Sequence, residues 1–217
     1  MALNKLKFNS LNVTPTAGKT VGFNSSADGL EATLSGGSMR FISKSTASSS
    51  STISFTSGID STYKEYIFIF KDIHPSIDSV RFQFNMSADG GSNYNVTKTT
   101  TAFNAYHYES DSGTNLGYDD DGNTDLAQGT GFQNLTNFNS GADNDQSLGG
   151  YLHLFNPSST TFVKHFISRI NNAISDNRPG DNYVAGYGNT TSAVNAVQFK
   201  FASGNIDAGT ITLYGIN

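Results

Sequence analysis

Ser79-Val-Arg-Phe-Gln-Phe-Asn-Met86 carries apolar side chains at Val80, Phe82, Phe84 and Met86 and polar ones at Arg81, Gln83 and Asn85. A period of two belongs to a strand, whose side chains alternate between faces, and it predicts one buried face and one wet face. Slightly earlier, Glu65–Ile73 reads differently: Tyr66, Phe68 and Phe70 point one way, Ile67 and Ile69 the other. A strand apolar on both faces belongs in a sheet interior, or at an interface that covers its second face.

Further strands read at Met39–Ser45, Ser51–Thr56, Tyr94–Thr101, Phe103–Tyr108, Tyr151–Phe155, Tyr183–Gly188, Val194–Ala202 and Gly209–Gly215. In Thr161–Ile170 the residues Phe162, Phe166 and Ile170 also fit a helical stripe, but the β-branched and aromatic content favours a strand. Short strands between Gly, Asn, Asp and Ser turns predict an all-β fold, an antiparallel β-sandwich of jelly-roll-like kind. Residues 1–37, with short apolar patches such as Leu3, Leu6 and Phe8 broken by Gly and Ser, read as an irregular N-terminal arm or small attachment segment. The sandwich then occupies 38–217. Ser45–Ser54 reads either as a flexible linker or as an edge strand leading into Ile53 and Phe55.

Composition narrows the function classes. Ser, Thr, Asn and Gly make up about 44% of the 217 residues and charged residues only 14%, yet 16 Phe and 10 Tyr can build a core. A net charge of -5 without a Lys or Arg cluster argues against nucleic acid as a partner. The chain has no cysteine, so disulfides, thiolate metal sites and Cys nucleophiles are excluded. Met1–Phe8 lacks the apolar core of a signal peptide, and no run reaches the roughly 20 apolar residues of a membrane helix, so membrane insertion is not expected.

Residues 110–149 break the strand rhythm and read as a long acidic loop. They contain seven Asp and no Lys or Arg, so the rest of the chain carries about +2 (-5 plus 7). Within the loop, Asp119, Asp121, Asn123 and Asp125 stand at every second position, the spacing that opens a calcium-binding loop. The match breaks at Gly122, which falls at the fourth position instead of the sixth, and at Thr130, which stands where a bidentate Glu would close the cage. A solvated polar turn is the competing reading, and Ca²⁺ is the one cofactor the pattern suggests.

Little suggests catalysis. The four His are His74, His107, His153 and His165, and the three Glu are Glu31, Glu65 and Glu109. His107 and His153 sit among alternating aromatics as strand residues, and His74 precedes Pro75 in a turn. There is no Gly-x-Ser-x-Gly elbow and no His-x-x-x-His pair. Glu109 beside the acidic loop could join one of its Asp residues as a glycosidase-like pair, and nothing local marks either as a buried acid. Tyr118, Phe132, Phe138, Tyr183 and Tyr187 lie in or beside Gly/Asn-rich turns. Such aromatics, with amides and carboxylates nearby, suit sugar stacking or protein–protein contact equally, unless the sandwich buries them.

Several stretches also resemble a family. They are Ser57-Gly-Ile-Asp-Ser-Thr-Tyr63, Tyr66-Ile-Phe-Ile-Phe70 with Ile73-His-Pro75, Ser87-Ala-Asp-Gly-Gly-Ser-Asn-Tyr94, Leu154-Phe-Asn-Pro-Ser-Ser-Thr-Thr161, Val163-Lys-His165 and Gly209-Thr-Ile-Thr-Leu-Tyr-Gly-Ile216. Together they resemble the virion structural proteins of marine bacteriophages, cyanophages especially, over nearly the whole chain. The resemblance implies a non-enzymatic particle component, either a capsid decoration or a tail-appendage subunit such as part of a tail fibre. It implies other virion proteins as partners and assembly in the host cytoplasm, and it transfers no catalytic or binding residues. The doubly apolar Glu65–Ile73 adds an expectation of a homo-oligomer, a trimer being favoured. The alternative is a receptor-binding adhesin that holds host-surface polysaccharide through its loop Tyr, Asn and Asp residues.

Overall fold

The computed structural model describes residues 19–23, 26, 29–34 and 38–216. The chain divides into two compact units, residues 1–38 and 39–217. In the first, β1 (Lys19–Phe23) and β2 (Leu30–Leu34) form a two-stranded antiparallel sheet. Leu3, Leu6 and Phe8 lie outside the described residues.

The second unit is an antiparallel β-sandwich, with no helix among the described residues. Its strands are β3 (Met39–Thr46), β4 (Ile53–Phe55), β5 (Glu65–Pro75), β6 (Phe82–Ser87), β7 (Lys98–His107), β8 (Thr114–Tyr118), β9 (Gln133–Asn134), β10 (Leu148–Phe155), β11 (Lys164–Ile174), β12 (Arg178–Gly188), β13 (Ala196–Phe201) and β14 (Ile206–Ile216). An eight-stranded sheet runs β3-β14-β5-β10-β11-β12-β7-β8, and a four-stranded sheet β4-β13-β6-β9 packs on it. A jelly roll is a finer description than two sheets of such unequal width carry.

The core is a layer of phenylalanines centred on Phe199 of β13. Its ring lies 5.1 Å from Phe68, 5.2 Å from Phe70, 5.9 Å from Phe82 and 6.3 Å from Phe55, mostly edge to face. Phe84 extends the layer to Phe166 of β11, 4.8 Å away. These rings hold the two sheets together, because edge-to-face pairs between fully buried aromatics add to an already large burial term.

Two expectations change. The face of β6 read as wet is dry, since all six of its residues are buried. Residues 110–149 are not a simple loop. They include β8 and β9, and Thr124, Gln133, Leu135, Thr136 and Asn137 are buried. This segment folds back over β6 and β7, and its polar side chains satisfy theirs. Gln83 Nε2 donates to Asn134 Oδ1 (2.7 Å), Thr100 Oγ1 to Gln133 Oε1 (2.7 Å) and Gln133 Nε2 to the Thr124 carbonyl (2.6 Å). Asn85 donates to the carbonyls of Tyr94 (2.6 Å) and Thr130 (3.0 Å) and accepts from Lys98 Nζ (2.6 Å). A strand polar on alternate residues can be buried on both faces if every polar atom finds a partner.

Smaller differences have local causes. The expected strands 94–101 and 103–108 merge into β7, because Ala102 continues its inward alternation. Thr161–Ile170 is the strand β11, shifted toward the C-terminus. There Lys164 Nζ donates to the carbonyls of Ser159 and Phe162 in the preceding turn and ties it to the Thr190 carbonyl beyond β12. Of Ser45–Ser54, Ser45 and Thr46 end β3, Ile53 begins β4, and Ser50 bridges to Ile206 between them.

Replacing Phe199 with Ala is expected to cost about 3–5 kcal/mol in denaturant unfolding; a loss below ~1 kcal/mol would contradict its central place. Lys98 supplies a second test. Burial pushes its ammonium down to about 7, so between pH 7 and the ordinary lysine range the unfolded chain holds more protons than the folded one. Stability should therefore rise from pH 7 to 9.5, by up to ~1.4 kcal/mol per pH unit, and Lys98→Met should flatten that rise.

Candidate functional site on the outer face of the large sheet

The large sheet alternates inward and outward residues in unbroken cross-strand rows. One inward row joins Ala102, Val184, Ser168, Leu152, Phe68 and Leu213, all buried. The outward rows beside it are also rich in apolar side chains. The first runs Thr101, Ala185, Ile167, His153, Ile67, Tyr214 and Phe41 across seven strands. The second crosses all eight as Tyr118, Phe103, Tyr183, Arg169, Tyr151, Ile69, Thr212 and Lys44. The doubly apolar β5 read from the sequence thus lies inside the sheet, and Ile67 and Ile69 are its share of this outer face.

Side-chain size sculpts the face. Phe103 and Tyr183 stack in parallel, 4.5 Å apart. Arg169 lies 4.8 Å over Tyr183 and forks onto Asp181, with Nε and Nη2 donating over 3.1 and 2.9 Å. Those hydrogen bonds raise the guanidinium further above its ordinary value, so this cation is permanent. Small residues open hollows on both sides of the ridge. An apolar hollow of about 520 Å³ is walled by Phe155, His165, Ile167 and Tyr187 over Ala185 and Gly186. It adjoins one of about 140 Å³ between Phe103, Ile167 and Tyr183. Beyond the ridge, Gly149 and Gly150 leave a polar hollow of about 300 Å³ beside Tyr151, Arg169 and Asp181. His153 Nε2 stands 3.0 Å from Glu65 Oε2, at ion-pair distance without hydrogen-bond alignment.

Of the five aromatics singled out from the sequence, Tyr118, Tyr183 and Tyr187 come together on this face. Phe132 lies apart under Lys200, whose Nζ is 4.6 Å from the ring centroid. Phe138 lies apart too, in an aromatic box that Arg178 fills at 4.1 Å from Tyr106, 4.7 Å from Tyr108 and 5.3 Å from Phe138. Sequence reading missed Phe103, Tyr151 and Ile167, because an aromatic or aliphatic residue inside a strand reads as core, and it missed Arg169, whose partners Tyr183 and Asp181 lie on another strand. The available signal was the second apolar face of β5.

The calcium-spaced residues are engaged separately. Asp119 accepts from the Asp121 amide (3.1 Å) and Asn104 Nδ2 (3.2 Å), Asp121 pairs with Arg81 Nη2 (2.7 Å), and Asp125 accepts from the Tyr118 hydroxyl (3.2 Å). Asn123 accepts the Asn134 amide on its backbone carbonyl (2.9 Å). Among the described residues no three His, Cys, Asp or Glu side chains gather as a metal cage. Glu109 and Asp145 line a cleft of about 570 Å³ with Gln146 and Arg178, and both stand exposed to solvent.

Comparison of the chain with protein-family models, with curated proteins and with solved structures finds no match.

The assignment of faces has a direct test. Ile167, 46% exposed, should tolerate Ile167→Lys within about 0.5 kcal/mol, whereas its neighbour Phe166, 1% exposed, should lose about 3–5 kcal/mol on truncation to Ala. Equal losses in urea unfolding would mean that the outer face is packed.

Proposed function

We propose that this chain is a non-enzymatic structural protein of a bacteriophage particle, a capsid decoration or tail-appendage subunit that works through protein–protein contacts. The observation that supports it best is the outer face of the large sheet. Folded chains keep few contiguous exposed apolar patches, and one built of aromatic and aliphatic rows suits coverage by a partner. Tyr, Phe and Arg, the residue types enriched where proteins meet, line it, and Lys44 is its one lysine among the two rows. The family resemblance supplies the setting: a virion, reached after folding without disulfides in the host cytoplasm. Its partners are other virion proteins and further copies of the chain, a trimer being favoured.

A second reading has its own observation. The ridge of Phe103, Tyr183 and Tyr151, next to the Arg169–Asp181 fork and a glycine-floored hollow, combines flat apolar faces with fixed polar groups, which is the chemistry of sugar recognition. On this reading the subunit is an adhesin for host-surface polysaccharide.

Particles assembled with a Phe103→Asp, Ile167→Asp variant test the first reading. The variant should fold, by circular dichroism, yet occupy particles at about tenfold lower level or less, as imaged by cryo-electron microscopy, which corresponds to ~1.4 kcal/mol of lost contact energy. Full occupancy would sink it. Glycan-array binding that Tyr151→Ala and Tyr183→Ala abolish would favour the adhesin.

A further inference from the structure

We infer that copies of this chain join edge to edge, strand β3 of one copy pairing antiparallel with strand β8 of the next. The inference rests on the reading of the chain as an assembling structural protein, and it names the contact between copies.

Strands β3 and β8 are the two ends of the eight-stranded sheet. Among the described residues each pairs on one side only, β3 with β14 and β8 with β7. Just past β8 the Asp119 amide donates inward to the Ala102 carbonyl (3.1 Å). Backbone groups alternate along an antiparallel strand, so those of Leu116 and Tyr118 point away from β7, where no described strand pairs with them. These unpaired groups are what another strand recognises.

Direction fits as well. All seven neighbouring pairs in the sheet are antiparallel, so its two edges run in opposite senses. A further copy added in the same strand order therefore continues the antiparallel alternation. The edge side chains on the outer face are the most exposed apolar ones in the sheet: Leu116 (72%) and Tyr118 (61%) on β8, Phe41 (63%) on β3. Paired strands would set Phe41 beside Tyr118 as cross-strand neighbours.

Charge decides which edges meet. The exposed charged residue of β3 is Lys44, which is positive. Around β8 stand Glu109, Asp111, Asp119, Asp120 and Asp125, with no Lys or Arg between residues 109 and 125, while Asp121 is paired with Arg81. Two β8 edges repel each other strongly, two β3 edges oppose like charges, and β3 against β8 attracts. Lysine on an edge strand ordinarily discourages pairing. Lys44 does so against another β3 and the reverse against the acidic edge. The contact is head to tail, so it closes a ring or runs on according to the rotation between copies.

Light scattering on the full chain at micromolar concentration tests this. The chain should form oligomers that weaken as ionic strength rises from ~0.05 M to ~0.5 M, because the paired charges are screened. Leu116→Pro removes an outward N–H and leaves the β7 pairing intact, and it should raise the dissociation constant about tenfold or more. Lys44→Glu and Asp120→Lys should each weaken association, and together restore it, which keeps the test open if the proline variant misfolds. A monomeric wild type, or an oligomer indifferent to these changes, overturns the inference. A monomer that still enters particles overturns this contact and spares the structural reading. An edge-paired oligomer that never enters particles does the reverse.

Discussion

The sandwich depends on packing one sheet against another of twice as many strands. Strands lie about 4.8 Å apart, so four of them cover roughly half the width of eight. Where both layers exist the contact is aromatic, with Phe199 touching rings from both sheets. Beyond β6, toward β7, the large sheet still needs a cover. The residues from Thr124 to Asn137 provide it, and they bring polar side chains. Buried polar atoms without partners are costly, so this half of the interior is a bonded lattice in which Gln133 links Thr100, Thr124 and Asn134. Lys98, held by Asn85 and the Val96 carbonyl, lies at the seam between the aromatic and amide regions.

That arrangement explains why the second face of the large sheet is free to carry function. All of the interlayer packing is done by inward residues such as Phe68, Leu152 and Phe166, so the outward rows are under no demand from the fold. Their aromatic and aliphatic character, and the hollows left by Gly149, Gly150 and Ala185, need another cause, and contact with a partner is the one proposed. The acidic character of residues 110–149 has a similar division. Part of the segment is interior, while its carboxylates stay outside, where Asp121 clamps Arg81 and Asp125 accepts from Tyr118.

Much of this was legible in the residues. Alternation in Ser79–Met86 marked a strand, and the second apolar face of Glu65–Ile73 marked a strand deep in a sheet with something to spare on its far side. Legibility failed where a residue's partner is distant in the chain. Gln83 and Asn85 look solvated until Asn134 and Lys98 arrive from 51 and 13 residues away. Tyr151, Arg169, Tyr183 and Phe103 look like separate strand residues until four strands set them in one row.

The chain by itself determined that it would be all-β and antiparallel, because side-chain period and turn composition act over a few residues. It also determined which residues on each strand share a face, since the backbone sends alternate side chains to opposite sides. What covers each face was decided only by tertiary structure. Period two reports that a strand has two sides, whereas burial depends on which strands become neighbours and on where a forty-residue excursion comes to rest. The dry amide layer over β6, the aromatic rows of the outer face and the opposite charges of the two sheet edges all arise from that ordering.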